Sequence, residues 1–160
     1  MTDLDVQGLI ARLRLEPHPE GGWFRETWRG AAGPDGRSVG TAIYFLVTAE
    51  SPSRLHRVDA AELFHWYDGD PVEQLVVSAE GELGVRRIGP HLELGEEPQA
   101  LVPPYAWQGL HVPAPGRWAL LGCTVSPGFE FEGFALAAPE DVTELVRAHP
   151  DHAELLDLLA

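Results

Sequence analysis

The stretch SRLHRVDAAELFHWYDGDPVE at residues 53–73 decides the fold. It places His56 six residues before Glu62, and Glu62 seven residues before Gly69. The apolar and aromatic residues around them favour two short strands, which end at the turn AspGlyAspPro of residues 68–71. Histidine and glutamate on neighbouring strands are candidate metal ligands and candidate acid–base groups.

Short strands are predicted along most of the chain. The run TAIYFLVTA at 41–49 is almost continuously apolar, which is typical of a strand covered on both faces. Strands at a spacing of about 8 to 12 residues, separated by glycine and proline turns, favour a sandwich or a barrel. The sequence therefore predicts an all-β fold, with strands at about 23–28, 41–49, 53–58, 61–67, 72–78, 82–88, 99–102, 107–111 and 118–125.

Helices are predicted at both ends of the chain. Leucines at helical spacing in the first fifteen residues indicate a helix that Asp3 or Asp5 caps and Pro17 stops. The sequence ProGluAsp at 139–141 begins a second helix, and residues 151–159 form a third. We therefore expect one domain over residues 1–160, with a core barrel at about 20–138 and a helical tail at 139–160.

Composition and charge exclude several classes of partner. Acidic residues number 25 against 11 arginines and no lysine, and a net charge of −14 argues against binding to nucleic acid. The longest apolar runs are only as long as strands, and MTDLDVQ carries acid where a secretory signal would carry base. We expect a cytoplasmic protein without a membrane partner. Cys123, in the predicted buried strand LLGCTV, is expected to be an inert core thiol.

The spacing of His56, Glu62 and Gly69 resembles the first cupin motif. That motif offers two histidines separated by one residue, then a glutamate and a turn glycine. Val58 stands where the second histidine would be.

The segment VPPYAWQG at 102–109 resembles the second cupin motif, which begins with proline and ends on a further histidine. Pro103 matches the proline, and Gln108 occupies the histidine position.

A wider pattern is similar to one group of the cupin superfamily, DUF985 or cupin-5. The pattern comprises LEPHPEGGWFRETWR (15–29), TAIYFLV (41–47), LHRVDAAELFHWYDGDPVE (55–73), VPPYAWQG (102–109) and VSPGFEFEGF (125–134). The resemblance implies a double-stranded β-helix, a jelly-roll-like barrel with short N- and C-terminal helices. It also implies a pocket inside the barrel and a homodimer.

The cupin resemblance implies a metal site built from about three imidazoles and one carboxylate around Fe, Mn, Ni or Zn. His56 and Glu62 retain two of the four ligand positions, and the amide of Gln108 is a poor third ligand. His65 or His111 could substitute, although a residue three positions after Glu62 on a regular strand faces the opposite way. The expected cofactor is therefore either none or a divalent transition metal.

A metal-free interpretation uses the same residues as acid–base groups. His56 would be the general base and Glu62 the orienting acid, because burial raises the pKa of a carboxyl group. Tyr44, Tyr67 or Tyr105 would donate a proton from the far side of a substrate. This arrangement resembles the sugar-nucleotide epimerases of the wider superfamily.

The other predicted site residues would bind the substrate. Arg25 would hold a carboxylate or phosphate by two hydrogen bonds. The tryptophans Trp23 and Trp107 are predicted to line the pocket, and the phenylalanines at 129, 131 and 134 to close the barrel or support a dimer contact. His18 shows no partner pattern and is left out of the site. The predicted substrate-binding residues are Arg25, Tyr44, His65, Trp107 and Gln108.

Three functions follow from these observations. The first is an acid–base isomerase or epimerase acting on a small polar or anionic molecule. The second is a metal-dependent enzyme of the oxygenase kind, with His56, Glu62 and Gln108 as ligands. The third is a module that binds a small ligand without converting it.

Overall fold

The structure is a computed structural model that describes residues 5–160. Over these residues it is mostly β, with eleven strands in two antiparallel sheets and three short α-helices, which confirms the predicted fold class. The helices are α1 (Val6–Leu13), α2 (Pro139–Ala148) and α3 (Ala153–Leu158). The strands are β1 (Glu16–Pro17), β2 (Trp23–Arg29), β3 (Thr41–Thr48), β4 (Ser53–Val58), β5 (Ala61–Gly69), β6 (Val72–Val77), β7 (Leu83–Ile88), β8 (Gln99–Val102), β9 (Trp107–His111), β10 (Trp118–Ser126) and β11 (Phe134–Leu136).

Two sheets face each other to form the barrel. One sheet has six strands in the order β1-β2-β3-β10-β5-β8, and the other has five in the order β11-β4-β9-β6-β7. The core between the sheets is apolar and includes Phe45, Phe64, Ile88 and Leu121, each at most 1% exposed. These side chains fill one part of the barrel, so the open space lies elsewhere between the sheets.

The helices cover the outer faces of the sheets. Asp5 caps α1 by accepting a hydrogen bond from the backbone N–H of Gly8 at 2.7 Å, whereas the alternative cap Asp3 lies outside the described residues. The apolar stripe of α1 packs on Leu46 of β3, and α2 and α3 bury Leu145 and Leu156 against the five-stranded sheet. No helix between residues 5 and 160 is long and apolar enough to span a bilayer.

A short loop at residues 18–22, the hairpin loop, joins β1 to β2. The backbone N–H of His18 donates to the carbonyl of Gly22 at 3.0 Å, and the N–H of Gly21 donates to the carbonyl of His18 at 3.0 Å. Gly21 and Gly22 have φ angles of 109° and 68°, which a residue with a Cβ atom adopts only with strain. The two glycines therefore permit the tight course of this loop.

The structure predicts different effects of an alanine at two glycines with positive φ. A Cβ atom at Gly22 would lie 2.6 Å from the carbonyl oxygen of Leu46, whereas one at Gly36 would have no neighbour within 4 Å. Gly22→Ala should therefore lower the free energy of unfolding by roughly 3 kcal/mol, against about 1 kcal/mol for Gly36→Ala. Denaturant unfolding measures both, and equal losses would contradict this account of the hairpin loop.

Candidate functional site

A cavity of about 390 Å³ opens between the two sheets. Its polar floor is formed by His18, Glu20, His56, Glu62 and Cys123. Its apolar wall consists of Phe24, Ile43, Val58, Val125, Phe129 and Phe131, and the other lining residues are Glu26, Arg29, Thr41, Glu130 and Glu132. A volume of this size accommodates a small molecule.

A bulge in β4 turns two residues that are three positions apart, Ser53 and His56, towards the inside of the barrel. The pairing of β4 with β9 shifts register between Ser53 and His56, so both side chains are buried on the inside although they are three residues apart. Leu55, between them, packs instead against the C-terminal helices. The bulge thus places the imidazole of His56 at the cavity floor and the hydroxyl of Ser53 behind it, within reach of Glu20.

Glu20 lies between these two side chains. Its Oε1 accepts a hydrogen bond from Oγ of Ser53 at 2.8 Å, and its Oε2 lies 3.2 Å from Nε2 of His56. Burial raises the pKa of Glu20 from 4.5 to about 8, with Ser53 and Arg54 opposing the rise. The Glu20 carboxyl is therefore protonated at neutral pH.

His56 is fixed in one neutral form. Its Nδ1 lies 2.7 Å from the carbonyl oxygen of Arg54, which can only accept, so Nδ1 carries the proton. Burial lowers the pKa of His56, against the opposing charge of Glu62. Nε2 is then free to accept the proton of the Glu20 carboxyl, and the contact is a neutral hydrogen bond rather than an ion pair.

His18 is the second buried imidazole. Burial and the nearby His56 lower its pKa from 6.5 to about 4, so it is neutral at physiological pH. Its Nδ1 accepts the backbone N–H of Glu20 at 3.2 Å, which leaves the ring proton on Nε2. The ring stacks on Phe131 with its centroid 6.3 Å away and meets Phe24 edge-on at 4.6 Å.

Glu62 reaches the cavity from the facing sheet. Its Oε2 accepts a hydrogen bond from Nε2 of Gln108 at 2.7 Å, and the thiol of Cys123 also bonds to it. Burial, with the charge of Glu20, raises the pKa of Glu62 from 4.5 to about 7, against His56 and these two donors. Burial raises the pKa of Cys123 well above its usual range, so the thiol stays protonated.

A family model matches residues 7–137 of the chain: Cupin_5, of the cupin superfamily (DUF985). The chain belongs to the Cupin_5 family. This confirms the resemblance found in the sequence. Two solved structures are similar over nearly their full length. A protein of Shewanella oneidensis is 34% identical, with 98% of this chain and 97% of that chain covered and a TM-score of 0.86. A hypothetical protein from Leishmania major is 33% identical, with 97% and 98% covered and a TM-score of 0.84.

An uncharacterized protein of Saccharomyces cerevisiae is 26% identical in an alignment 154 positions long, which covers 85% of this chain and 77% of the relative. The match over residues 7–137 shows the family, and the two solved structures share the fold.

The Cupin_5 fold brings three of the predicted site residues together. His56 and Glu62 both line the cavity, and Gln108 lies directly behind Glu62. Gln108 does not line the cavity itself; it contacts the cavity through the carboxylate that it binds.

Three other predicted residues, Arg25, Tyr44 and His65, lie on the outer face of the six-stranded sheet. Successive residues of a strand face opposite sides, and Phe24 and Glu26 line the cavity, so Arg25 between them faces outwards. Its guanidinium lies 5.4 Å from the ring centroid of Tyr44. His65 bonds to Oγ1 of Thr124 at 3.2 Å on the same outer side. The structure does not bring these three predicted substrate-binding residues to the cavity, and their role in binding stays a prediction.

Trp107 and Trp23 also lie away from the cavity. Trp107 packs among the residues that bury α2 and α3, with the guanidinium of Arg57 4.6 Å above its ring. Trp23 of β2 packs with α1 on the outer face of the six-stranded sheet. The three tyrosines that the sequence offered as proton donors do not line the cavity; they are Tyr44, Tyr67 and Tyr105.

The residues of this Cupin_5 chain do not fit the four-ligand metal site that the cupin resemblance implied. Val58 has no donor atom, and the amide nitrogen of Gln108 points its hydrogens at Glu62. His111 pairs with Glu73 at 3.2 Å, away from the cavity lining. Among residues 5–160 there is no group of three or more histidine, cysteine, aspartate or glutamate side chains placed to hold a metal ion.

Sequence reasoning missed His18 and Glu20. Both belong to the segment PHPEGG, and the structure carries them to the cavity floor on the hairpin loop. The available signal was the pair Gly21–Gly22, because two adjacent glycines allow a loop tight enough to turn both side chains inwards.

The raised pKa of Glu20 predicts a pH-dependent stability. The folded state binds this proton more tightly than the unfolded state, so its contribution to stability is full below pH 4.5 and is lost as the pH rises to about 8. Glu20→Gln imitates the protonated carboxyl. Between pH 4.5 and about 8 its free energy of unfolding should therefore rise relative to that of the wild type, by up to about 1.4 kcal/mol for each pH unit.

Urea unfolding at several pH values measures the difference between the two proteins. Glu50→Gln, at an exposed turn, is the control and should follow the wild type. A wild-type-minus-Glu20→Gln difference that stays constant over this window would contradict the protonated assignment.

Proposed function

We propose that the protein is an acid–base enzyme of the isomerase or epimerase kind, which moves a proton on a small polar molecule bound in the cavity. The observation that carries the proposal is the presence of two buried carboxyls, Glu20 and Glu62, on the floor of one cavity, each with its own hydrogen-bond donor. Burial raises their pKa values to about 8 and about 7 respectively. Between these values one carboxyl is mainly protonated and the other mainly ionised. The cavity then holds an acid and a base at the same pH.

Glu62 is the base in this proposal. The sequence pattern indicated His56 for that role, but Nε2 of His56 already faces the Glu20 carboxyl and its Nδ1 donates to the carbonyl oxygen of Arg54. Glu62 accepts one hydrogen bond from Gln108 and keeps further acceptor capacity for a substrate proton. His56 instead holds the Glu20 proton by a hydrogen bond, which breaks when Glu20 turns that proton towards a substrate oxygen.

The proton transfer is balanced within the substrate and the two carboxyls. Glu62 takes a proton from carbon next to a carbonyl, and the electron pair of the broken C–H bond moves to the carbonyl oxygen. Glu20 supplies a proton to that oxygen, which gives an enol. Glu62 then returns its proton to the neighbouring carbon, which gives the isomer, or to the other side of the same carbon once the enol has turned over, which gives the epimer. Glu20 recovers a proton from the hydroxyl that becomes the carbonyl. The substrate is neither oxidised nor reduced overall.

His18 supports the same chemistry by a hydrogen bond. Its lowered pKa keeps the ring neutral, and its Nε2–H has no hydrogen-bond partner among residues 5–160. A neutral N–H donor in a buried site stabilises negative charge that develops on an oxygen. We assign His18 to the substrate carbonyl.

The lining of the cavity favours a neutral polar substrate. The guanidinium of Arg29 is held by both carboxylate oxygens of Glu26 at 2.9 Å and by the carbonyl of Phe129 at 3.0 Å. The anionic substrate considered from the sequence depended on Arg25, whose side chain faces the other side of the sheet. Aromatic rings on one wall and carboxyls on the floor suit a compound with one apolar face and several hydroxyl or carbonyl groups.

The homodimer that the cupin resemblance implied stays a prediction.

Solvent deuterium incorporation tests the proposal. We expect the wild type to catalyse exchange of carbon-bound hydrogen in one member of a panel of neutral aldoses, ketoses and hydroxyketones in D2O, followed by proton NMR. Glu62→Gln keeps an acceptor for Gln108 but cannot take a proton, so it should reduce exchange by about 100-fold or more.

Two results would overturn the proposal. Exchange that survives in Glu62→Gln would remove the base, and binding of a panel compound without any exchange would favour the ligand-binding module. Glu50→Gln serves as the matched control, because it removes an exposed carboxyl outside the cavity.

The exchange rate should depend on pH in a bell shape. The base becomes active as Glu62 ionises at about pH 7, and the acid is lost as Glu20 ionises at about pH 8. We therefore expect a maximum between these values, measured as the initial exchange rate against pH. A rate that rises steadily beyond the upper value would show that Glu20 is not the acid.

A further inference from the structure

A row of polar side chains crosses the inside of the five-stranded sheet. Arg86 of β7 stands opposite Gln74 of β6, and Gln108 of β9 stands opposite His56 of β4. Gln74 and Gln108 are 0% and 1% exposed. Buried amides destabilise a sheet interior unless each is hydrogen-bonded, so the bonds that satisfy them define their arrangement.

These bonds form a continuous chain, here called the amide row. Nε of Arg86 donates to Oε1 of Gln74 at 2.9 Å, and Nε2 of Gln74 donates to Oε1 of Gln108 at 3.5 Å. Nε2 of Gln108 then donates to Oε2 of Glu62 at 2.7 Å. The amide row therefore runs from a partly exposed arginine to the cavity floor.

The direction of the amide row is dictated at both of its ends, because Arg86 only donates and the ionised Glu62 only accepts. A guanidinium group only donates, so Gln74 must present its oxygen to Arg86 and its nitrogen to Gln108. Gln108 must then present its oxygen to Gln74 and its nitrogen to Glu62. Nη2 of Arg86 also donates to the carbonyl of Leu101 at 2.8 Å, which ties the guanidinium to β8.

We propose that Arg86 is a positioning residue for the cavity: it holds the oxygen of Gln74 towards itself, so that the NH2 group of Gln74 supports the oxygen of Gln108 while the NH2 group of Gln108 donates to Glu62. Without the guanidinium, Gln74 can turn end for end and present its oxygen to the oxygen of Gln108. These two acceptors would repel each other, and the hydrogen bond from Gln108 to Glu62 would weaken. The role of this direction in proton transfer rests on the proposed function. The direction itself rests only on the hydrogen bonds of the amide row.

The side-chain amide of Gln108 reports the direction of the row by NMR. In the 15N-labelled wild type, at a pH above the pKa of Glu62, the proton donated to the carboxylate should lie downfield and exchange slowly with solvent. Gln108→Leu assigns this resonance. Arg86→Met should move this resonance upfield and speed its exchange by at least about tenfold, because the hydrogen bond to the carboxylate weakens.

Gln74→Leu separates the effect of the hydrogen-bonded amide row from that of the positive charge of Arg86. This variant breaks the amide row but keeps the guanidinium, so it should have the same effect as Arg86→Met. Arg87→Met removes the neighbouring exposed arginine of β7 and should leave the Gln108 resonance in place. Arg86→Lys keeps a group that only donates, and it should restore the wild-type spectrum.

Each outcome decides the proposal. A downfield Gln108 proton that persists in Arg86→Met or in Gln74→Leu would overturn it, as would an equal change in Arg87→Met. If the two row-breaking variants do not fold, a lost downfield proton in folded Arg86→Lys would overturn it as well. The spectrum requires no turnover, so failure of the proposed enzyme activity would leave this result intact.

Discussion

The hydrogen bond between the Glu20 carboxyl and Nε2 of His56 joins the two parts of the chain that build the cavity floor. Glu20 comes from the hairpin loop and His56 from the bulged strand β4, at a separation of 3.2 Å. Because both groups are buried, each is held in its neutral form, and a neutral pair is cheaper to bury than two charges. The glycines of the loop and the bulge at β4 are both required to bring these atoms together.

The interior of the barrel is divided between packing and polar chemistry. One part is filled by apolar side chains such as Phe45 and Leu121. The other holds buried carboxyls, imidazoles and amides, which stabilise the fold only while their hydrogen bonds are complete. Ser53 and Gln108 satisfy the carboxyls of Glu20 and Glu62 respectively. Such a departure from an apolar interior is typical of a functional site.

Much of the fold could be predicted from the sequence because strand signals are local. The apolar run at 41–49 and the turn at 68–71 indicate strand bounds without knowledge of distant contacts. The spacing of His56 and Glu62 also located two cavity residues. The other site residues could not be predicted. The side of the sheet to which Arg25 points depends on which face of WFRETW meets the barrel, and both faces carry aromatic and charged residues. The position of Glu20 depends on a loop whose partners, such as Ser53, are distant in sequence.

The protonation state of His56 tests this account most directly. Its imidazole nitrogens can be observed by 15N NMR at neutral pH, with His56→Asn to assign the signals. The account predicts a neutral ring with the proton on Nδ1 and an unprotonated Nε2 that accepts from Glu20. A doubly protonated ring at neutral pH would mean that Glu20 is ionised and the pair is a buried ion pair, which would contradict the central claim.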